Sequence, residues 1–260
     1  MSRVPVVGFS LKNYINTVTA TRTLVQQLDE LCGQERSIEQ FLLPSLGTIE
    51  SVSYRLFRNQ SRIGLGAQNI APAANGAWTG EYSIETLAEL GGRYVELAHH
   101  ERLQYFHEDA AMVNRKLKLT LGFQMVPVLC IGEGEQRLSA DGFRNKVGSL
   151  LSQYLAGVAD EDVGRIIFVY EPGWAIGQSE AASAQEVYRS MATIRDLVKT
   201  IAGAEAAKQA RLIYGGSISK ASTPAIVDDQ NTDGIFVGRF GHQPANYQAM
   251  VEEVKAAKLN

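Results

Sequence analysis

Eight short apolar runs recur along the chain, each followed by a polar or amphipathic stretch. This alternation constrains the fold more than any other feature. The runs cover 4–10, 40–44, 63–68, 94–98, 125–131, 166–170, 212–214 and 234–238. Each is bounded by Gly, Pro or polar residues and is mostly apolar on both alternating faces, as suits parallel strands covered on both sides. Helical periodicity lies between them. It places Leu24, Val25 and Leu28 on one face of 19–31, and Leu150, Leu151, Tyr154 and Leu155 on one face of 147–158. Over 186–201 the stripe is Val187, Met191, Ile194, Leu197 and Val198, and over 246–258 it is Met250, Val251 and Val254. Eight strand–helix units within 260 residues, without a linker or low-complexity insert, predict an α/β chain forming a single (β/α)8 barrel over residues 1–260. A doubly wound sheet is the runner-up. Against it, Gly64-Leu-Gly66-Ala-Gln-Asn69 lacks the third glycine of a dinucleotide-binding turn.

Composition removes other classes. Lys plus Arg total 25 against 28 Asp plus Glu, a net charge of −3 with no basic block, which disfavours a nucleic-acid partner. No run of roughly 18 apolar residues predicts a membrane span. Cys32 sits in a polar stretch and Cys130 ends an apolar run, so the two do not suggest a disulfide. With no secretion-type apolar segment at the start, a cytoplasmic protein is expected.

One connection is out of scale. The stretch 69–83 (NIAPAANGAWTGEYS) far exceeds the roughly 2–6 residues usual between a strand and its helix. It carries Ile70, Pro72 and Trp78, so it calls for a cover. That cover is a partner subunit or the chain's own barrel.

In such a barrel the active site lies at the C-terminal ends of the strands. The first run leads to Ser10 and Lys12, the fourth to His99, His100 and Glu101, and the sixth to Glu171. Gly215-Gly216-Ser217 and Gly238-Arg239 follow the seventh and eighth, where glycine-rich loops commonly offer N–H groups to a phosphate. A cation, an imidazole and a carboxylate around a phosphate-sized site suit enolisation of a small phosphorylated carbonyl compound. Glu171 would take a proton beside the carbonyl, His99 would hydrogen-bond the oxygen as it gains charge, and Lys12 would stabilise that charge. The four histidines show no His-x3-His spacing, and no Cys-x2-Cys pair occurs, so no metal is expected.

Longer motifs run in one order along nearly the whole chain. They are Gly66-Ala-Gln-Asn69, Gly76-Ala-Trp-Thr-Gly-Glu81, His99-His-Glu-Arg102 with Phe106, and Cys130-Ile-Gly-Glu133. Tyr170-Glu-Pro-Gly-Trp-Ala-Ile-Gly177, Tyr214-Gly-Gly-Ser217 and Asp233-Gly-Ile-Phe-Val-Gly238 complete the set. Together they resemble the triosephosphate isomerase family. That family is itself the standard illustration of a Glu base, a neutral His electrophile and a closing lid, so those roles come with the resemblance. It implies a cofactor-free interconversion of dihydroxyacetone phosphate and D-glyceraldehyde 3-phosphate through an enediolate. It assigns Glu171 as base, His99 as electrophile and Lys12 as the active-site lysine, paired with Glu101. N–H groups of Gly177, Ser217, Gly238 and Arg239 would hold phosphate. Pro172, Gly173, Trp174, Ala175, Ile176 and Gly177 would form the lid, and Thr79 on the 69–83 loop would reach a second subunit of a homodimer.

Several positions depart from the family pattern. Ser10 stands where Asn is usual, His100 where Ser is usual, Leu103 in place of a second Arg, and Arg239 in place of a second glycine. Gln178-Ser179-Glu180 replaces the usual end of the lid. Arg239 would read either the phosphate or an extra hydroxyl of a longer substrate, or would point away and offer only its N–H. His100 would hydrogen-bond Glu171 while the lid is open. The departures bring in an alternative substrate, a four-carbon ketose phosphate such as L-erythrulose 1-phosphate. An inactive phosphate-binding barrel should have lost one of Lys12, His99 or Glu171. A Schiff-base aldolase needs a desolvated lysine, whereas Glu101 would keep Lys12 charged.

Overall fold

The computed structural model describes residues 3–175 and 182–259. Eight strands, β1 Val6–Ser10, β2 Glu39–Leu43, β3 Gly64–Ala67, β4 Tyr94–Leu97, β5 Val126–Ile131, β6 Ile167–Tyr170, β7 Arg211–Tyr214 and β8 Gly234–Val237, pair in parallel in chain order. The sheet closes where β8 returns to β1, with Val7 opposite Ile235, while Ser10 lies opposite Leu43 of β2. The fold is the (β/α)8 barrel that the alternation predicts. Each apolar run supplies a strand, a residue or two shorter at its ends in most cases.

The side-chain period of two splits every strand between two cores. Val6, Phe41, Tyr94, Val128, Ile167 and Phe236 are among those that fill the barrel interior, where Phe41 stacks on Tyr94 with ring centroids 4.5 Å apart. The alternate residues face the surrounding helices and form the larger core. Those helices are α1 Val18–Cys32, α2 Ile49–Arg58, α3 Ile84–Glu89, α4 His100–Tyr105 and α5 Ala110–Gly122, then α6 Ala140–Tyr154, α7 Asp160–Val163, α8 Ala184–Gln209, α9 Thr223–Val227 and α10 Pro244–Leu259.

The structure shifts two helical expectations. The 147–158 pattern is the second half of α6, which starts earlier, behind a Ser139 cap, and ends at Tyr154; Leu155 is buried in the turn that follows. α8 begins with a capping box, Ser183 and Glu186 each bonding the other's backbone N–H. It is broken at Gly203, whose φ of +84° only glycine takes without strain. Both cysteines are free and buried. Among the described residues no helix is long and apolar enough to cross a membrane.

Candidate functional site

The site gathers at the C-terminal mouth of the barrel. Lys12 lies just past β1 with φ +46°, a left-handed conformation unusual for a side chain with a Cβ. Gln68, just past β3, holds it there: its Nε2 donates to the Lys12 carbonyl at 2.9 Å and to the Leu43 carbonyl at 3.1 Å. Lys12 Nζ donates to Glu101 Oε1 at 2.6 Å. Burial works against its charge, but the Glu101 hydrogen bond and the Glu171, Glu101 and Glu96 carboxylates outweigh burial and raise its pKa.

His99 is the N-cap of α4. Its Nδ1 accepts the Glu101 backbone N–H at 3.1 Å, which assigns the proton to Nε2. Nε2 lies 3.4 Å from Glu171 Oε1. Burial, and next the Lys12 charge, hold the His99 pKa well below the usual imidazole value, so the ring is neutral near pH 7. It therefore acts as an N–H donor, not as a cation.

Glu171 follows β6 directly, and its backbone N–H continues the ladder to the Ile131 carbonyl at 2.9 Å. The side chain is buried, with Oε2 lacking a well-formed hydrogen bond. Burial is the main reason that its pKa is pushed up to about 7. Lys12, the Cys130 thiol and the His100 backbone N–H oppose the rise, and Glu101 adds to it. A carboxylate poised there can take and return a proton near neutral pH.

Ser217, Gly238 and Arg239 line a cavity of about 110 Å3 together with Lys12, His99 and Glu171. The two glycines after β7 have no room for a Cβ: one on Gly215 would lie 2.4 Å from Val169, and one on Gly216 2.1 Å from Tyr214 Oη. Arg239 is exposed and opens a short turn, Arg239–His242, with its guanidinium 5.8 Å from the Phe240 ring.

His100 is a correction. Its imidazole faces Glu135, with Nε2 4.0 Å from Oε1, and makes no hydrogen bond to Glu171; only its backbone N–H serves that carboxylate. His99 caps the helix and turns inward, while His100 is the first helical residue and turns outward. Of the lid residues, Gly173, Trp174 and Ala175 form a tight turn after Pro172. Trp174 Nε1 donates to Glu133 Oε1 at 2.5 Å, and Arg137 lies 4.0 Å over its ring. Ile176 and Gly177, and the altered Gln178-Ser179-Glu180, lie outside the described residues.

Ser10 donates its hydroxyl to Glu96 Oε2 at 3.4 Å. Glu96, Gln68, Cys130 and Glu133 all lie in this region; the sequence reading quoted the last three only within motifs and gave none of the four a site role. For Glu96 a signal was present, a carboxylate inside the apolar run YVEL. In the 69–83 loop, Thr79 is exposed and Trp78 is 41% exposed. The loop's base is tied by Asn69 to Glu81 at 2.9 Å, by Lys116 to Asn69 at 2.7 Å and by the Ala71 N–H to the Tyr82 carbonyl at 2.8 Å. Among the described residues no group of three or more His, Cys, Asp and Glu could hold a metal.

Fold and geometry together describe a barrel isomerase: a buried carboxylate base against a neutral imidazole and a lysine, next to glycine loops able to take an anion. The chain belongs to the triosephosphate isomerase family, whose model matches residues 5–254. It is similar to the "Probable triosephosphate isomerase 2" of Listeria monocytogenes serovar 1/2a, 34% identical over 256 residues, covering 98% of this chain and 99% of that protein. It is also similar to triosephosphate isomerases of Chloroflexus aurantiacus (32% identical, 96% and 98% covered) and Cutibacterium acnes (34%, 96% and 98%).

Proposed function

We infer that this chain interconverts dihydroxyacetone phosphate and D-glyceraldehyde 3-phosphate. The observation that carries this is the buried Glu171 carboxylate 3.4 Å from the Nε2 of a neutral His99, with the ammonium of Lys12 in the same cavity. Glu171 takes a proton from the carbon beside the carbonyl. His99 Nε2–H donates to the oxygen that gains charge, and Lys12, held by Glu101, stabilises the enediolate. Glu171 then returns the proton to the neighbouring carbon. N–H groups of Ser217, Gly238, Arg239 and Gly177 hold the phosphate, and residues 172–177 close over it to exclude water. No cofactor enters. The chain acts in the cytoplasm as a homodimer, with the 69–83 loop and Thr79 against the second copy; the tied base and exposed tip of that loop support this.

Measuring kcat/KM in both directions for the wild type, Glu171→Gln and His99→Gln tests the reading. The wild type should be active, and each variant should lose about 10²–10⁴-fold. Lack of wild-type activity on either triose phosphate would refute it.

A further inference from the structure

The fold gathers arginines that the sequence scatters. Arg36, Arg62 and Arg93 lie far apart in the chain, yet each stands just before a strand, and β2, β3 and β4 are neighbours in the barrel. Adjacent strands lie about 4.8 Å apart, so the three side chains share one stretch of the barrel's floor, at the end opposite the mouth. All three are exposed. Other arginines are matched: Arg3, Arg144, Arg195 and Arg211 each meet an Asp or Glu. Among the described residues Arg36, Arg62 and Arg93 meet none.

Beside them α2 offers a different surface. Its Ile49, Val52 and Leu56 turn into the core. Tyr54 and Phe57, three residues apart and so neighbours on the helix, turn out and are 64% and 85% exposed. No large apolar side chain among the described residues is more exposed than Phe57. The three arginines and the two rings line one groove of about 970 Å3, large enough for an organic ligand. Glu50 and Glu89 line it too, without pairing with the guanidiniums. Cations therefore outnumber anions here, in a chain whose net charge is −3. A neutral or cationic ligand would leave the arginines unmet, and a bare anion would leave the rings unmet. A flat ring joined to several negative charges meets both.

We propose that this groove on the floor of the barrel binds a nucleoside polyphosphate. The guanidinium N–H groups of Arg36, Arg62 and Arg93 donate to the phosphate oxygens, and the base stacks on Phe57 and Tyr54. Arginine suits this role because its planar fork meets two phosphate oxygens at once. Aromatic faces accept any base, so the rings supply affinity without selecting one. The chain has no basic block to track a nucleic-acid strand, which favours a single nucleotide. The groove lies at the far end of the barrel from Glu171, so its occupancy does not depend on the isomerase reading.

Calorimetric titration of the whole protein with ATP, tripolyphosphate and adenosine tests this. ATP should bind saturably, tripolyphosphate less tightly and adenosine least. Arg62→Ala and Arg93→Ala should each weaken ATP and tripolyphosphate by about tenfold or more. Phe57→Ala should weaken ATP by about fivefold or more and leave tripolyphosphate unchanged. These side chains stand outside the core, so circular dichroism and kcat/KM on triose phosphates should keep their wild-type values. Absence of ATP binding up to about 5 mM would overturn the proposal. So would ATP binding that the arginine variants leave unaltered, or that glycerol phosphate displaces, since the latter puts ATP at the glycine loops of the mouth. Tripolyphosphate binding as tightly as ATP would reduce the groove to a general anion surface, and tighter binding of a single-stranded RNA would assign it to nucleic acid; either result overturns it. A smaller species in sedimentation for Phe57→Ala, with ATP affinity retained, would make the rings a contact between copies and overturn it as well. ATP binding at this groove in a wild type that lacks isomerase activity would keep the site and sink the isomerase reading instead.

Discussion

At the residue scale the proposed base, Glu171, carries the clearest predictions, because its burial bears on both a rate and a stability. With the carboxyl pushed up to about 7, kcat/KM should climb about tenfold per pH unit below that value and level off above it. His99, held well below the usual imidazole value by burial, is neutral near pH 7. A flat profile between pH 5 and 8 would contradict the assigned base. The same shift has a thermodynamic sign. Between the ordinary carboxylate value of 4.5 and about 7, the folded state holds a proton that the unfolded state has lost. Stability therefore falls as pH rises through that window. Glu171→Gln removes the titration, so the variant should gain up to about 3 kcal/mol over wild type at pH 8 and nothing at pH 4, read from denaturant unfolding at the two pH values. A gain of equal size at both would mean that packing, not charge, is responsible. Lys12, His99 and Glu171 were legible because each stands where an apolar run ends and chemistry can begin. Glu96 was not, since one carboxylate inside a short apolar run is averaged away by a reading that counts hydrophobic residues. The outward turn of His100 was hidden for a different reason: which of two adjacent histidines caps a helix depends on where that helix starts.

At the scale of elements, strands were easier to see than helices. A strand buried on both faces announces itself by composition alone, whereas a helix must show a stripe. In α5 the buried stripe includes Lys116 and Thr120, the lysine neutralised by Glu108, so the apolar period is interrupted. In α2 the stripe is only Ile49, Val52 and Leu56, while Tyr54 and Phe57 are exposed on other faces and blur it. A tight coupling between elements lies at the end of β7. Tyr214 Oη accepts the Ala182 N–H at 3.0 Å, where the chain re-enters the described structure before α8, and Gly216 passes beside the same oxygen. Gly216→Ala would put a methyl group 2.1 Å from Tyr214 Oη and force the ring away. Overpacking of this kind costs about 1–3 kcal/mol. The expected result is a lower Tm together with a KM for the phosphorylated substrate that rises more than kcat falls, because the β7 loop proposed to hold phosphate and the Ala182 contact would shift together. Unchanged Tm and KM would show that the loop yields without cost.

At the scale of the whole molecule, part of the apolar surface that the barrel leaves uncovered lies near its mouth. Tyr14, Trp78 and Phe106 are 63%, 41% and 64% exposed, and Phe106 shares with Gly80 and Leu46 the rim of the cavity that reaches Lys12. Singly such residues need no explanation, but a protruding loop that carries an exposed Trp78 does. The loop cannot fold back to cover itself, since Asn69, Glu81, Lys116 and the Ala71–Tyr82 bond fix its base while 75–81 stand in solvent. In the proposed dimer a second copy would offer the same loop and the same cavity, so that one contact would be made twice across a two-fold axis, and a net charge of −3 per chain would oppose association only weakly. Stable interfaces of this kind bury roughly 800 Å2 per partner. Sedimentation should therefore give a dimer at micromolar concentration. Trp78→Asp should shift it to monomer while circular dichroism is retained, since that side chain contributes little to the barrel's own core. Activity should fall with the dimer by about tenfold or more, because the cavity rim next to the Lys12–Glu101 pair loses its cover and water reaches a charge network that works best when dry. A wild type that sediments as a fully active monomer would refute the assembly and leave the loop without a role.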